Sequence, residues 1–360
     1  MWINRRKSKV IYIGNVPIGG NYPIVVQSMT NTFTEDLEKT VAQIKELEKV
    51  GCEIVRVTVP TKEAAENIKK IKEKISIPLI ADIHFDHKLA ILSMEKGADG
   101  IRINPGNIGS KDKVREVIRV AAERKIPIRI GVNTGSLPKN IIIKYGYPSP
   151  EAVVETALGY MKFFEDEGFT NMKFSLKGSD IKTTVIANEL FAKENEYPIH
   201  IGITEAGTVL SGAVKSATGI GILLYKGIGD TLRVSLSAHP KIEVKVAFKI
   251  LSSLGLRKVG VDVISCPTCG RCVVDLPELA LEVEEALEHI KAPVTVAVMG
   301  CAVNGPGEAS FADAGIAAAG DRFILFSKGK IVGKYSEKEA VKKLIEEVER
   351  IAVEKSNCIY

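Results

Sequence analysis

Gly100-Ile-Arg-Ile-Asn104 and Ile128-Arg-Ile-Gly-Val-Asn133 decide the fold. Both alternate apolar residues with polar ones at the period of two that a β-strand imposes. Between them, Ser110–Arg124 carries its apolar residues at helical spacing. The same alternation runs through the first two thirds of the chain. It predicts strands at Ile24–Ser28, Ile54–Val59, Leu79–Ile83, Gly100–Asn104, Ile128–Asn133, Asn171–Leu176, Ile199–Thr204 and Thr231–Leu236. Helical patterns at Asp36–Val50, Lys62–Lys74, Ser110–Arg124, Glu151–Glu167 and Ile181–Asn195 lie between them. Strands and helices in that number and spacing predict an α/β chain with an N-terminal (β/α)8 TIM-type barrel over residues 1–240. The competing doubly wound sheet lacks support, since no G-x-G-x-x-G follows the first strand.

From residue 241 to 360 the pattern changes to a small α+β domain. Predicted strands at Val259–Ile264 and Val294–Met299 each run into a cysteine loop. A hairpin follows, with Arg322–Phe326 and Lys330–Gly333 around Ser327-Lys-Gly-Lys330. The last helix opens on Ser336 with Glu339 three residues on, a capping box.

The barrel strands carry an unusual set of inward groups. Arg56, Arg102 with Asn104, Arg129 with Asn133, Lys173 with Ser175 and Lys177, and Arg233 with Ser235 each alternate with apolar neighbours. If those neighbours pack under the helices, the cations point into the barrel, whose carboxyl-terminal mouth holds active sites in this architecture. Only Asp82 and Glu205 stand out there as acids. Converging guanidinium forks with few counter-charges call for a ligand with several negative charges, such as a diphosphate. The competing expectation is that carboxylates at the barrel ends neutralise them. Asp82 and His84 alternate onto one face and suit hydrogen-bonding or acid–base roles. Glu205, before Ala206-Gly207, is a candidate general acid or a structural loop carboxylate. His87, His239 and His289 read as surface or capping residues.

The second informative feature is Cys266-Pro-Thr-Cys269-Gly-Arg-Cys272, joined by Cys301 in Gly300-Cys-Ala-Val-Asn-Gly-Pro-Gly-Glu308. Closely spaced cysteines without an export signal point to a metal or an iron–sulfur cluster rather than disulfides. Five candidate ligands, counting Glu308, compete for four positions. A structural zinc would want a second C-x-x-C, whereas the glycines of Asn304–Gly307 suit N–H donation to cluster sulfurs. Cys52 reads as a buried small hydrophobe and Cys358 as incidental.

Composition excludes other classes. Net charge is +5 with lysines and glutamates interspersed, which is no nucleic-acid signature. No apolar run reaches membrane-spanning length and the basic N-terminus is not a signal peptide. The expected location is cytoplasmic.

These stretches resemble the bacterial 4-hydroxy-3-methylbut-2-enyl diphosphate synthase family. The matching segments include Val26-Gln-Ser-Met-Thr-Asn31, Ala81-Asp-Ile-His-Phe-Asp86, Arg102-Ile-Asn-Pro-Gly-Asn-Ile-Gly109, Gly202-Ile-Thr-Glu-Ala-Gly207 and the two cysteine loops. The resemblance implies an oxidoreductase of the non-mevalonate isoprenoid pathway. It would reductively open 2-C-methyl-D-erythritol 2,4-cyclodiphosphate, with electrons passing from ferredoxin or flavodoxin through a [4Fe–4S] cluster. It implies that Arg56, Arg102, Arg129 and Arg233 grip the substrate, with Asn104, Asn133, Lys173, Ser175, Thr204 and Ser235 around it. Asp82, His84 and Glu205 would lie near the reacting carbons, Glu205 as proton donor. Cys266, Cys269, Cys301 and Glu308 would hold the cluster, Glu308 at a displaceable position, with Cys272 a bystander. A homodimer, one subunit's cluster domain closing the other's barrel, is also implied. Two alternatives remain: a phosphate-binding barrel lyase or transferase with a structural zinc, and a non-enzymatic iron–sulfur carrier.

Overall fold

In the computed structural model, residues 3–301 and 311–357 are described. They form two units, divided between Arg257 and Lys258. The barrel strands are β3 (Val25–Met29), β4 (Ile54–Thr58), β5 (Leu79–Asp82), β6 (Gly100–Ile103), β7 (Ile128–Asn133), β8 (Met172–Lys177), β9 (His200–Ile201) and β10 (Thr231–Leu232). They form one eight-stranded sheet in the order β8-β7-β6-β5-β4-β3-β10-β9. All of its paired ladders are parallel. A bridge between Phe174 and Ile199 joins β8 to β9 and closes the ring. The eight strands read from the sequence thus form the expected (β/α)8 barrel.

The division between units falls later than the expected residue 241. Helix Pro240–Ser253 follows β10 and completes the eighth strand–helix repeat. Its Val244, Ala247, Ile250 and Leu251 are buried in the same core as the barrel strands. That core lies outside the sheet, where Val55, Val57, Ile101, Ile103, Ile130, Val132, Phe174 and Leu176 meet the helices. The alternate residues are thereby committed to the interior.

Two strands absent from the sequence reading, β1 (Ile11–Ile13) and β2 (Val16–Ile18), form an antiparallel hairpin. Ile11, Ile13 and Ile18 cluster with Val25, Ile54 and Ile80 at the start of β3, β4 and β5. The hairpin thus plugs the amino-terminal end of the barrel with an apolar layer. The segment before it is anchored at buried Asp230, which accepts from Arg5 at 3.1 Å, Ser8 at 2.8 Å and the Ile199 amide at 2.8 Å.

β9 and β10 are shorter than expected. The Arg233 amide still donates to Ile201 O at 3.1 Å, one step past the ladder. Beyond it, a Cβ at Gly202 would stand 2.7 Å from the Lys177 ammonium, so that head fills the space beside the strand.

The second unit is a five-stranded sheet, in the order β11 (Val261–Ser265), β12 (Val294–Met299), β13 (Ala314–Ala319), β14 (Arg322–Ser327), β15 (Lys330–Tyr335). The first three strands run parallel and the last two pair antiparallel. Helices Leu276–Ala286 and Glu337–Asn357 cover one face through Leu279, Val283, Leu344, Val348 and Ile351. Among the described residues no helix is long and apolar enough to cross a membrane.

Candidate functional site: a cationic barrel and a cysteine-bearing strand edge

The barrel interior above the apolar plug is built of ions. Arg56, Arg102, Arg129, Lys173 and Lys177 are buried on β4, β6, β7 and β8. Arg233, just beyond β10, is half-buried. Arg102, Arg129 and Lys173 stand side by side in register on neighbouring strands. Gly131 makes room for this row: a Cβ there would lie 2.9 Å from Arg102 Nε.

Two carboxylates partner some of the cations. Asp82 is in contact with Arg102 Nη1 at 3.1 Å and Arg56 Nε at 3.3 Å. Burial pushes the Asp82 carboxyl up, but Arg56, Arg102 and His84 outweigh that and hold it below its ordinary range. Glu243, on helix Pro240–Ser253, takes both Nε and Nη2 of Arg233 at 3.1 Å. Met29 Sδ stands between the Arg56 and Arg233 guanidinium groups, 2.9 Å from Arg56 Nη2 and 3.6 Å from Arg233 Nη1. The expected neutralisation by carboxylates is thus partly met, and the carboxylate that sequence reasoning missed sits on a helix.

The rest of the charge is uncompensated. Arg129 Nε and Nη1, Arg102 Nε and Lys173 Nζ are buried without a hydrogen-bond partner among the described residues. Such groups are rare in folded proteins and expensive to leave unmade. Burial, then repulsion from Arg56, pulls Lys173 down to about 7 despite Asp230. Burial and the surrounding arginines lower Lys177 as well. Arg56 is pulled to about 10 by burial, with Arg233 and Arg102 adding to the effect against Asp82. His200 is also inside the barrel, with Nδ1 2.7 Å from Thr231 Oγ1 and Nε2 without a partner among the described residues. Burial and the neighbouring lysines hold it well below the usual imidazole range, hence neutral. Buried cations in this number, with two carboxylates among them, call for an anionic ligand.

The polar residues expected around it are placed as follows. Asn104 is buried, caps the short helix Pro105–Ile108 through Gly106 N at 3.1 Å, and donates to Ser136 Oγ at 3.0 Å. Ser175 is buried within β8, while Asn133, Thr204 and Ser235 are half-buried at the mouth. His84 is half-buried beside exposed Phe85. Glu205 is exposed on the loop after β9, with a left-handed φ of 52°. Such a backbone is strained for a non-glycine residue, and strain of this kind clusters at functional sites. His87, read as surface or capping, is instead buried between Asp86 and Glu116.

In the second unit, Cys266 follows β11 and Cys301 follows β12, two parallel neighbours whose carboxyl ends emerge together. The Gly300 amide donates to Cys266 Sγ at 3.4 Å. Cys269 is exposed, and Cys266 and Cys301 are half-buried. The Cys272 thiol donates to Val274 O at 3.3 Å and packs under Gly300, where a Cβ would meet Sγ at 2.4 Å. Glu308 and Cys358 lie outside the described residues. Among those described, no three His, Cys, Asp or Glu side chains are drawn together as a metal cage. The donor set nevertheless suits a cluster: soft thiols at two adjoining strand ends, with an amide already aimed at sulfur. Cys52, by contrast, is buried with its thiol pushed up to about 12, so it is inert at neutral pH.

A TIM-type barrel with a cationic interior, together with a small α+β domain that presents cysteines at parallel strand ends, defines the class. The chain belongs to the GcpE family: residues 8–248 match the GcpE TIM-barrel domain and residues 262–350 the GcpE protein C-terminal domain. It is 56% identical over 350 residues to the 4-hydroxy-3-methylbut-2-en-1-yl diphosphate synthase (flavodoxin) of Caldanaerobacter subterraneus subsp. tengcongensis, covering 97% of this chain and 99% of that one. The identically named proteins of Thermodesulfovibrio yellowstonii and Aquifex aeolicus are 55% and 54% identical, over 97% of this chain and 100% and 98% of theirs. Among solved structures, Yersinia pestis dihydropteroate synthase has a TM-score of 0.50 at 11% identity, covering 68% of this chain and 98% of that one. That likeness concerns the fold alone.

Proposed function

We propose that this chain is an oxidoreductase that opens 2-C-methyl-D-erythritol 2,4-cyclodiphosphate to 4-hydroxy-3-methylbut-2-en-1-yl diphosphate. The observation that carries the proposal is the row of buried, unpartnered cationic nitrogens in the barrel, together with family membership. That membership favours this reading over a zinc-stapled lyase or transferase. The barrel also disfavours a pure electron carrier, which has no use for a cationic chamber.

Arg56, Arg102, Arg129, Arg233 and Lys173 bind the diphosphate, and Asn104, Asn133, Ser175, Thr204 and Ser235 orient it. As the carbon–oxygen bond to phosphate breaks, negative charge grows on the diphosphate oxygen. Fixed guanidinium groups stabilise that charge without reorganising. The reaction also sheds a hydroxyl as water and takes up two electrons and a proton. Glu205, on its strained loop, supplies the proton to the departing hydroxyl. Asp82 holds Arg56 and Arg102 in place, and His84 lines the reacting face. A [4Fe–4S] cluster on Cys266, Cys269, Cys301 and Glu308 would supply the electrons, one at a time, from flavodoxin or ferredoxin. The relatives' printed name supports flavodoxin. Exposed Phe33 and Phe85, on the loops after β3 and β5, and Leu210, in the first turn of helix Val209–Tyr225, support closure of the mouth by a second apolar surface. A homodimer in which the partner's small domain forms the lid fits that need, in a cytoplasmic setting that keeps thiols reduced.

Protein purified anaerobically is expected to contain iron and to absorb broadly near ~400 nm. Zinc in place of iron, without that absorption, contradicts the proposal.

Lys173 makes the affinity pH-dependent. A bound diphosphate raises its depressed pKa. Below about pH 7 the lysine is protonated both free and bound, and affinity is at its plateau. Above that pH, binding must also take up a proton, and affinity falls by up to about tenfold per pH unit. Calorimetric titration across this range is expected to show that fall in the wild type and a shallower one in Lys173→Met. A flat profile in the wild type would refute the assignment.

A further inference from the structure

We propose that Glu243, which lies on a helix outside the barrel, is a positioning residue for diphosphate binding. It rests on the functional reading above and deepens it. The carboxylate is 3% exposed and carries four donors. Oε1 accepts from Arg233 Nη2 at 3.1 Å and from the Leu236 amide at 3.0 Å. Oε2 accepts from Arg233 Nε at 3.1 Å and from Ser28 Oγ at 3.2 Å. Four donors use the lone-pair directions of a carboxylate in full.

Three consequences follow. The Nε/Nη2 edge of Arg233 is consumed, so its plane is fixed and the Nη1 end is left facing Met29 and the chamber. The Leu236 amide is held by the same oxygen, which anchors the chain beside Ser235. Ser28, on β3, ties the assembly to the strand next to β10. Glu243 therefore sets one guanidinium and the end of one strand at once. Without it, the mutual repulsion of Arg233 and Arg56, separated only by the Met29 thioether, would swing Arg233 away from the position that meets a phosphate.

A role confined to stability would lower the melting temperature without coupling to Arg233. A positioning role shows up in a double-mutant cycle on binding. The holoenzyme is titrated calorimetrically with the cyclic diphosphate and, separately, with inorganic pyrophosphate. Glu243→Gln is expected to raise Kd about tenfold or more for both ligands, since one charge-assisted bidentate contact is lost. In an Arg233→Ala background the same substitution is expected to change Kd by less than about twofold. Glu243→Asp keeps the charge but not the reach and is expected to weaken binding as Gln does; it replaces Gln in the cycle if that variant does not fold. Wild-type affinity in Glu243→Gln or Glu243→Asp, or effects of Glu243 and Arg233 that multiply independently, would overturn the proposal. If the wild type binds pyrophosphate but not the cyclic diphosphate, the substrate assignment fails, while the pyrophosphate cycle still decides the role of Glu243. Binding of neither ligand would overturn both.

Discussion

Arg129→Met is expected to stabilise the unliganded protein while destroying its affinity for the cyclic diphosphate. Arg129 is 3% exposed, and its Nε and Nη1 have no partner among the described residues. Removing an uncompensated buried charge in favour of an apolar chain of similar length relieves desolvation and repulsion from Arg102 and Lys173. A gain of about 1–3 kcal/mol is expected, by analogy with buried ion pairs replaced by apolar residues. The same nitrogens are the ones left for a phosphate. Two charge-assisted hydrogen bonds contribute about 3 kcal/mol or more together, so Kd is expected to rise at least about a hundredfold. Differential scanning calorimetry without ligand and titration with ligand read the two effects separately. A variant that melts lower and still binds would mean that Arg129 has a structural partner.

Asp82→Ala is expected to act in the opposite sense on stability. Asp82 is buried between Arg56 and Arg102. Its loss leaves two guanidinium groups facing each other uncompensated. Breaking a buried pair in this way costs about 3–5 kcal/mol, a drop in melting temperature of roughly 10 °C. Arg56 and Arg102 hold the carboxyl below its ordinary range. A depressed folded-state pKa contributes stability above the unfolded pKa, near about 3.9, and loses it as pH falls through the folded value. The gap between wild type and variant should therefore be full at neutral pH and shrink on acidification below about pH 4. A gap unchanged on acidification would show that packing, not charge, accounts for the loss. In the variant, freed arginines also lose their fixed spacing, so substrate affinity falls as well.

Much of this site was legible in the sequence because a strand writes its two faces at alternate positions. Arg102 between Ile101 and Ile103, or Arg129 between Ile128 and Ile130, leaves one choice once the isoleucines go under the helices. Glu243 could not be found that way. An acid in the first turn of a helix is ordinary, and only the fold shows that this one reaches Arg233. The boundary at residue 241 failed for a related reason. The eighth repeat needs a helix after its strand, and stopping at the strand end severs Pro240–Ser253 from its core. The plug hairpin did leave a trace, since Gly14-Asn15 between two short apolar segments is a two-residue turn signal. Pro17 and strands of three residues hid it. The strand β13 is mostly alanine and glycine, residues with little strand preference.

The cysteine loops divide similarly. Spacing puts Cys272 beside Cys269 as a candidate ligand, and the family resemblance leaves it out of the proposed set. Its thiol donates to Val274 O and packs under Gly300. That contact is decided by the parallel pairing of β11 and β12, which places Gly300 over the Cys272 turn. The pairing also brings Cys266 and Cys301 to one edge, although 34 residues separate Cys266 from the Gly300 amide that donates to it.

Anaerobic turnover tests the central claim most directly. Iron-replete protein, reduced with dithionite, is mixed with the cyclic diphosphate, and the phosphorus NMR spectrum is followed. The two ring phosphorus signals are expected to give way to those of a linear allylic diphosphate, one product for every two electrons consumed. Cyclic diphosphate recovered unchanged from reduced, cluster-loaded protein, or ring opening with no electrons consumed, would contradict it.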